Sequence, residues 1–331
     1  MHANEGVEMK YINLTLDKGK NHVSQICLGT ARFGARIQEK MAFEMLDMFY
    51  QNGGNFLDTA RNYDEWAEQG RGSSEKCIGR WMDMRGCRDE MVVCTKGGVR
   101  RRDGERVFDL SQENLCEEIA QSLESLRTNY IDIYLLHKDE RERHVEEIIY
   151  SMQAVAEKGN VSKIGVANWK LERVRKANDY AQRHGLKPFE IIQTWWSLAE
   201  YTKEMWNDEN TTWMTEDMYQ YVLDNKLFAM AYTPQCKGFF QKAIRYGINE
   251  IDPFLMSRIA TERNIKKLEY IKKVHINQGI PVTAIVNGYI TCNPLSGVAI
   301  VSCSRTEQLL DVLTCSDYDI DMDIIQSLDK I

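Results

Sequence analysis

Eight short runs crowded with β-branched and aromatic residues, separated by longer stretches of helical periodicity, constrain this chain more than any other feature of its sequence. They fall at residues 25–30, 55–58, 91–96, 131–137, 162–167, 191–194, 227–232 and 298–301. Each run is too short for a helix, and their alternation with helical stretches favours a closed parallel sheet. In a barrel of that kind, polar groups at the C-terminal strand ends meet at one mouth. Asp58, Lys96 and His137 each end such a run, and Tyr63 follows Asp58 by five residues.

The intervening helices are also legible. The first reads over residues 38–51, with Met41, Met45, Met48 and Phe49 on one face and a stop at Asn52-Gly53-Gly54. Ser111 reads as the N-cap of a helix that ends near Leu126 and buries Leu115, Ile119, Leu123 and Leu126. Another helix covers residues 170–184, and the long connection 236–277 is expected to carry extra helical structure over the mouth. One domain over residues 1–331, without a linker or low-complexity segment, accounts for the whole length.

The strand-end residues suggest a proton donor. A tyrosine in water holds its proton to about pH 10. A lysine ammonium within hydrogen-bond reach favours the phenolate and lowers that pKa, while a carboxylate behind the lysine keeps it charged and oriented. Asp58, Lys96 and Tyr63 are candidates for this relay, with His137 holding a carbonyl oxygen as negative charge grows on it. The bland alternatives are a buried Asp58–Lys96 ion pair and a structural histidine at a strand end. His144 and His184 read as structural helix residues, and His2, His22 and His275 carry no context. Cys94 shares the strand parity of Lys96 and reads as interior filling.

These residues carry a family resemblance. The segment Gly54-Asn55-Phe56-Leu57-Asp58-Thr59-Ala60-Arg61-Asn62-Tyr63 and the runs ending in Lys96 and His137 resemble the aldo-keto reductases in order and spacing. The later pieces Gly165-Val166-Ala167-Asn168-Trp169, Gln193-Thr194-Trp195-Trp196-Ser197-Leu198 and Tyr232-Thr233-Pro234-Gln235-Cys236-Lys237-Gly238 continue the match, which covers roughly residues 24–313. The resemblance implies an α/β fold, a (β/α)8 TIM barrel with extended loops at its C-terminal face. It also implies a nicotinamide cofactor across that face, and reduction of an aldehyde, ketone or oxidised sugar with Tyr63 as general acid.

Cofactor roles follow from the resemblance position by position. Gly29, Thr30 and Asp58 match residues on the cofactor side of the mouth, and Asn168 and Gln193 match those that hydrogen-bond the nicotinamide carboxamide. Trp196 matches the aromatic that stacks on the nicotinamide ring. Thr233, Gln235, Lys237 and Gly238 match the pyrophosphate loop, Ser304 and Arg305 a 2′-phosphate site, and Gln308 an adenine contact. A guanidinium suits phosphate, which favours NADP(H) over NAD(H). Two departures weaken that preference: Ile300-Val301-Ser302 replaces a common Ile-Pro-Gly, and Val312 replaces a frequent asparagine.

Other departures bear on substrate. Asp64 stands where glycine is usual, and the lengthened run 64–73 is expected to overhang the site. Trp66 in that run either walls the carbonyl pocket, stacking on a ring-shaped, hydroxyl-rich substrate, or pins the loop to the rim. Trp195, Trp196, Tyr201, Trp206 and Trp213 crowd the connection after the sixth run, as a sugar platform or as core packing.

Composition narrows the function classes. Lys plus Arg total 42 against 49 Asp plus Glu, a net charge of -7, so no nucleic-acid footprint is expected. No apolar run approaches the ~20 residues that span a membrane. Residues 1–8 lack a cationic flank with an apolar stretch behind it, so no secretory signal is expected. Nine scattered cysteines predict reduced thiols in a cytoplasmic protein and no metal site. Two rivals to the reductase remain: a cofactor-binding regulatory subunit resembling the channel-associated members of the family, and a barrel hydrolase or aldolase with Lys96 as a Schiff-base amine.

Overall fold

In the computed structural model, which describes residues 8–67, 70–201, 208–295 and 297–331, each of the eight expected runs is a strand. The chain opens with an antiparallel hairpin, β1 (Tyr11–Asn13) and β2 (His22–Ser24), followed by β3 (Ile26–Gly29), β4 (Phe56–Asp58) and β5 (Val92–Gly97). A second hairpin, β6 (Val99–Arg102) and β7 (Glu105–Phe108), precedes β8 (Ile131–Leu136), β9 (Val161–Ala167), β10 (Ile191–Trp195), β11 (Phe228–Tyr232) and β12 (Gly297–Val301). Strands β3, β4, β5, β8, β9, β10, β11 and β12 close in that order into one parallel barrel, the (β/α)8 architecture.

Side-chain alternation along each strand produces two apolar layers. Phe56, Val92, Cys94, Ile133, Leu135, Ile191 and Met230 fill the interior and pack with Leu14, Leu16 and Val23 from the N-terminal hairpin region. Leu28, Leu57, Val93, Tyr134, Leu136, Ile164 and Val166 point the other way, into the layer shared with the surrounding helices. Closure depends on glycine where strands crowd: a Cβ on Gly29 would lie 2.5 Å from Ser302 Oγ, and one on Gly165 would lie 2.2 Å from the Ile191 carbonyl oxygen.

Helix Glu39–Gln51 forms where expected, but its buried stripe is Ala42, Met45, Leu46 and Phe49. Met41 is exposed, because spacing at three and four residues, not side-chain bulk, selects the inward face. Helix Gln112–Leu126 is capped by the Ser111 hydroxyl, which accepts from the Asn114 amide, and Leu123 sits at the half-buried edge of its stripe. Helix Leu171–Arg183 matches its expectation.

Connection 236–277 holds helices Phe239–Tyr246, Pro253–Ile259 and Glu262–Gln278. Phe239, Phe240 and Ile271 pack there with Ile285 and Ile325 in a separate apolar cluster. This block is fastened to the loop leaving β10: Lys267 Nζ donates to the Leu198 carbonyl at 3.0 Å, and the Asn264 side chain bonds both the amide and carbonyl of Glu200. All nine cysteines are unpaired, with Cys94 fully buried inside the barrel. No helix among the described residues is long and apolar enough to cross a membrane.

Candidate active site

Strand pairing brings the four expected residues together. Asp58 ends β4 opposite Cys94, and Lys96 on β5 lies opposite Leu135 on β8. The ladder continues past the strand ends: Thr59 N donates to Cys94 O, Arg61 N to Lys96 O, and His137 N to Gly97 O, at 2.8, 2.9 and 2.9 Å. The turn into Tyr63 and the first residue beyond β8 are therefore held by backbone bonds at the mouth.

Lys96 is fully buried and donates to Asp58 Oδ1 at 2.8 Å, to the Thr59 carbonyl at 2.7 Å and to Tyr63 Oη at 2.9 Å. Tyr63 Oη donates to Asp58 Oδ2 at 3.1 Å. Gln193 Nε2 donates to Asp58 Oδ1 at 2.8 Å, so its amide nitrogen braces the carboxylate. The His137 ring stands edge-on to Tyr63, 5.7 Å between centres, and its Nδ1 lies 2.7 Å from Asn62 Oδ1. In this orientation a neutral imidazole carries its proton on Nδ1, and turning the Asn62 amide over would move that proton to Nε2.

Electrostatics reverse one expectation. Burial, followed by the Asp58 carboxylate, holds Tyr63 above the ordinary tyrosine range, and Lys96 only partly offsets them. Desolvation and a carboxylate 3.1 Å away both disfavour phenolate, so the net direction is up, not down. Burial works against the Lys96 charge, but Asp58 and Tyr63 outweigh it and raise its pKa. His137 is held well below the usual histidine range by burial, then by Lys96, Lys138 and Arg106.

The expected cofactor residues divide. Thr30 is fully buried, and its amide and hydroxyl both donate to the Asp58 carbonyl, at 3.0 and 2.9 Å, so it buttresses β4. Gly29 is likewise buried where β3 meets the chain after β12. Gln193 points inward to Asp58, whereas Trp196 packs in the outer layer, edge-on to Tyr219. Trp195 is buried against Tyr201 and Tyr232, so neither indole offers a flat face for a sugar. Trp206 lies outside the described residues. Tyr232, at the end of β11, packs against the interior cluster and donates to Asn168 Oδ1 at 2.6 Å. Sequence reasoning missed it, although period-two parity with the interior Met230 marks it as inward-facing.

Residues suited to a dinucleotide cluster around the remaining loops. Thr233, Cys236, Lys237 and Gly238 all have left-handed φ angles, of 56, 48, 56 and 74°. Three are not glycine, and backbone strain of that kind persists where a site demands it. The loop leads into helix Phe239–Tyr246, and the amide, hydroxyl and ammonium donors of Gln235, Thr233 and Lys237 suit a pyrophosphate. Ser304, Arg305 and Gln308 are exposed around the start of helix Thr306–Leu313. Ser304 N donates to Gln308 Oε1 at 2.8 Å, and Arg32 Nη1 donates to Ser304 Oγ at 3.3 Å.

A cleft of about 320 Å³ opens on Tyr63 and His137 and is walled by Trp66. Trp66 is 54% exposed, with the Arg36 guanidinium 5.5 Å from the centre of its ring. Asp64 has φ of 46°, the conformation that makes glycine usual there, and its buried carboxylate pairs with Arg36 at 3.5 Å.

Known proteins resemble this chain. Norsolorinic acid reductase B of Dothistroma septosporum is 36% identical over 190 residues, covering 54% of this chain and 47% of the relative. An aryl-alcohol dehydrogenase (NADP(+)) of Phanerodontia chrysosporium is 33% identical over 195 residues, 54% of this chain and 49% of the relative. In both, the chain spans about half the length of the relative it matches. A putative aryl-alcohol dehydrogenase of Saccharomyces cerevisiae is 27% identical over 335 residues, 93% of this chain and 86% of the relative. The model of the Aldo/keto reductase family matches residues 25–331, and with it the chain belongs to that family.

Proposed function

We propose that this chain is an NADP(H)-dependent reductase of small-molecule aldehydes or ketones, with Tyr63 as the general acid. One observation carries the reading: Lys96 Nζ stands 2.9 Å from Tyr63 Oη and 2.8 Å from Asp58 at the mouth of the barrel. NADP(H), when bound, supplies the hydride that reduces the carbonyl carbon. Tyr63 gives its proton to the carbonyl oxygen, so its O–H bond breaks as the alcohol O–H bond forms. Burial and Asp58 keep the phenol protonated until then, and the Lys96 ammonium stabilises the phenolate left behind. Asp58, the Thr59 carbonyl and Gln193 hold that ammonium and its carboxylate in place. His137 walls the carbonyl beside Tyr63, and Asn62 selects which ring nitrogen carries the proton.

Thr233, Gln235, Lys237 and Gly238 would hold the pyrophosphate, Ser304, Arg305 and Gln308 the adenosine end, and Asn168 and Gln193 the carboxamide. Tyr232, in place of Trp196, would offer its ring to the nicotinamide. The names of the relatives support reduction of an aromatic carbonyl more than of a sugar, and one names NADP(+).

The test is NADPH consumption by wild type and Tyr63→Phe over aromatic and aliphatic aldehydes, ketones and oxidised sugars, with NADH in parallel. Turnover that depends on Tyr63 supports the proposal. NADPH binding without consumption on any substrate would overturn it in favour of a regulatory subunit.

A further inference from the structure

Three cationic side chains line the cleft that holds the reacting end and have no part in the proton transfer. Arg36, Arg106 and Lys138 line the same cleft as Tyr63 and His137, and they arrive from three separate connections, after β3, on β7 and after β8. Each has a carboxylate within 4 Å, but among the described residues that line the cleft Asp64 is the one carboxylate. Arg36 pairs with Asp64 at 3.5 Å while its guanidinium lies 5.5 Å from the centre of the Trp66 ring.

Arg106 lies 3.7 Å from Glu65, but that carboxylate is shared with Arg101 at 3.5 Å and Arg71 at 3.8 Å. Glu65 Oε1, the oxygen nearest Arg101 and Arg106, accepts no hydrogen bond, so their donors are not spent on it. Lys138 reaches Asp208 at 3.3 Å and the Asn210 carbonyl at 2.7 Å. Arg32 also lines the cleft but turns to Ser304 at the cofactor end. Lys138 and Arg106 are among the charges that depress the His137 pKa, after burial and Lys96, so their field reaches the reacting end.

We infer that the substrate is a carbonyl compound that also bears a carboxylate, with its carbonyl at Tyr63 and its carboxylate at Arg106, Arg36 and Lys138. The inference rests on the reductase reading and adds the substrate class. A guanidinium fork matches the two oxygens of a carboxylate. Val99 and Trp66 add apolar wall to the same cleft, suited to an aromatic or short aliphatic spacer.

Para-carboxybenzaldehyde and its methyl ester provide a matched pair of probes. Their binding is measured by calorimetry to wild type and Arg106→Gln in the presence of NADP+, where no reduction can occur, and their reduction is measured separately with NADPH. The acid should bind wild type about tenfold or more tightly than the ester, as a charge-assisted contact predicts. That ratio should collapse in Arg106→Gln and shrink at high salt. Arg106 is about half exposed on its hairpin, so its replacement should not unfold the chain. Equal binding of acid and ester to wild type, or a ratio untouched by Arg106→Gln, overturns the inference. Preferential binding of the acid with no reduction of either compound overturns the reductase reading and leaves the anion preference standing.

Discussion

Gln193 donates its amide nitrogen to the same oxygen of Asp58 that accepts from Lys96, each at 2.8 Å. The buried carboxylate is thus held from two strands of the barrel, β10 and β5, with Tyr63 on its other oxygen. Gln193→Leu keeps the volume but removes one donor from a buried anion, which costs about 1–3 kcal/mol. Urea denaturation should show that loss, with a fall in kcat. An unchanged midpoint would mean that Lys96 alone satisfies Asp58.

Tyr63→Phe removes the proton donor while keeping the ring against His137. Reduction should slow by about 100-fold or more, the usual weight of general acid catalysis. Wild-type kcat in single-turnover NADPH oxidation would eliminate Tyr63 as the acid.

Trp196 and Tyr232 should separate packing from cofactor contact. Trp196→Ala opens a cavity in the outer layer and should cost about 3–5 kcal/mol of stability. Tyr232→Leu should weaken NADPH binding by about two- to tenfold, the weight of an aromatic contact. The reverse pattern would make Trp196 the stacking residue.

Arg305→Ala should distinguish the two nicotinamide cofactors. A charge-assisted bond to phosphate is worth about 1.5–3 kcal/mol, so NADPH affinity should fall by about tenfold or more while NADH affinity barely changes. Equal losses in fluorescence titrations would show that Arg305 does not meet a 2′-phosphate.

Glu118 makes stability depend on pH. Burial raises its carboxyl from 4.5 to about 7, despite the pull of Arg71 and the Gly98 amide. Between those values the folded chain keeps a proton that the unfolded chain has lost, so stability falls as pH rises through the window. Glu118→Gln has no such titration, and its stability relative to wild type should improve from about pH 5 to about pH 8. A difference in urea midpoints that stays constant with pH would show that Glu118 does not titrate there.

Much of the site was legible because its residues are tied to strand ends. Asp58, Lys96 and His137 each close a run whose composition already reads as strand, and parallel pairing then brings those ends together at one mouth. Which side Trp196 takes was not legible in its motif, because an odd offset along a strand reverses the face. Gln193 faces Asp58 in the interior, and Trp196 faces Tyr219 outside. The packing of Thr30 was not legible, because its burial depends on Ser74 and Asp58, which are distant in sequence.

The sequence by itself determined the alternation of strands and helices, the caps such as Ser111, and the order in which Asp58, Tyr63, Lys96 and His137 arrive. Those properties depend on neighbouring residues, through periodicity and backbone preference. Tertiary structure alone decided that Tyr63 holds its proton more tightly than a free tyrosine, and that Tyr232 rather than Trp196 stands by Asn168. It alone gathered Arg36, Arg106 and Lys138 around one cleft. Burial and charge act through space, so their sign at a given side chain is set by groups that only the closed barrel brings within reach.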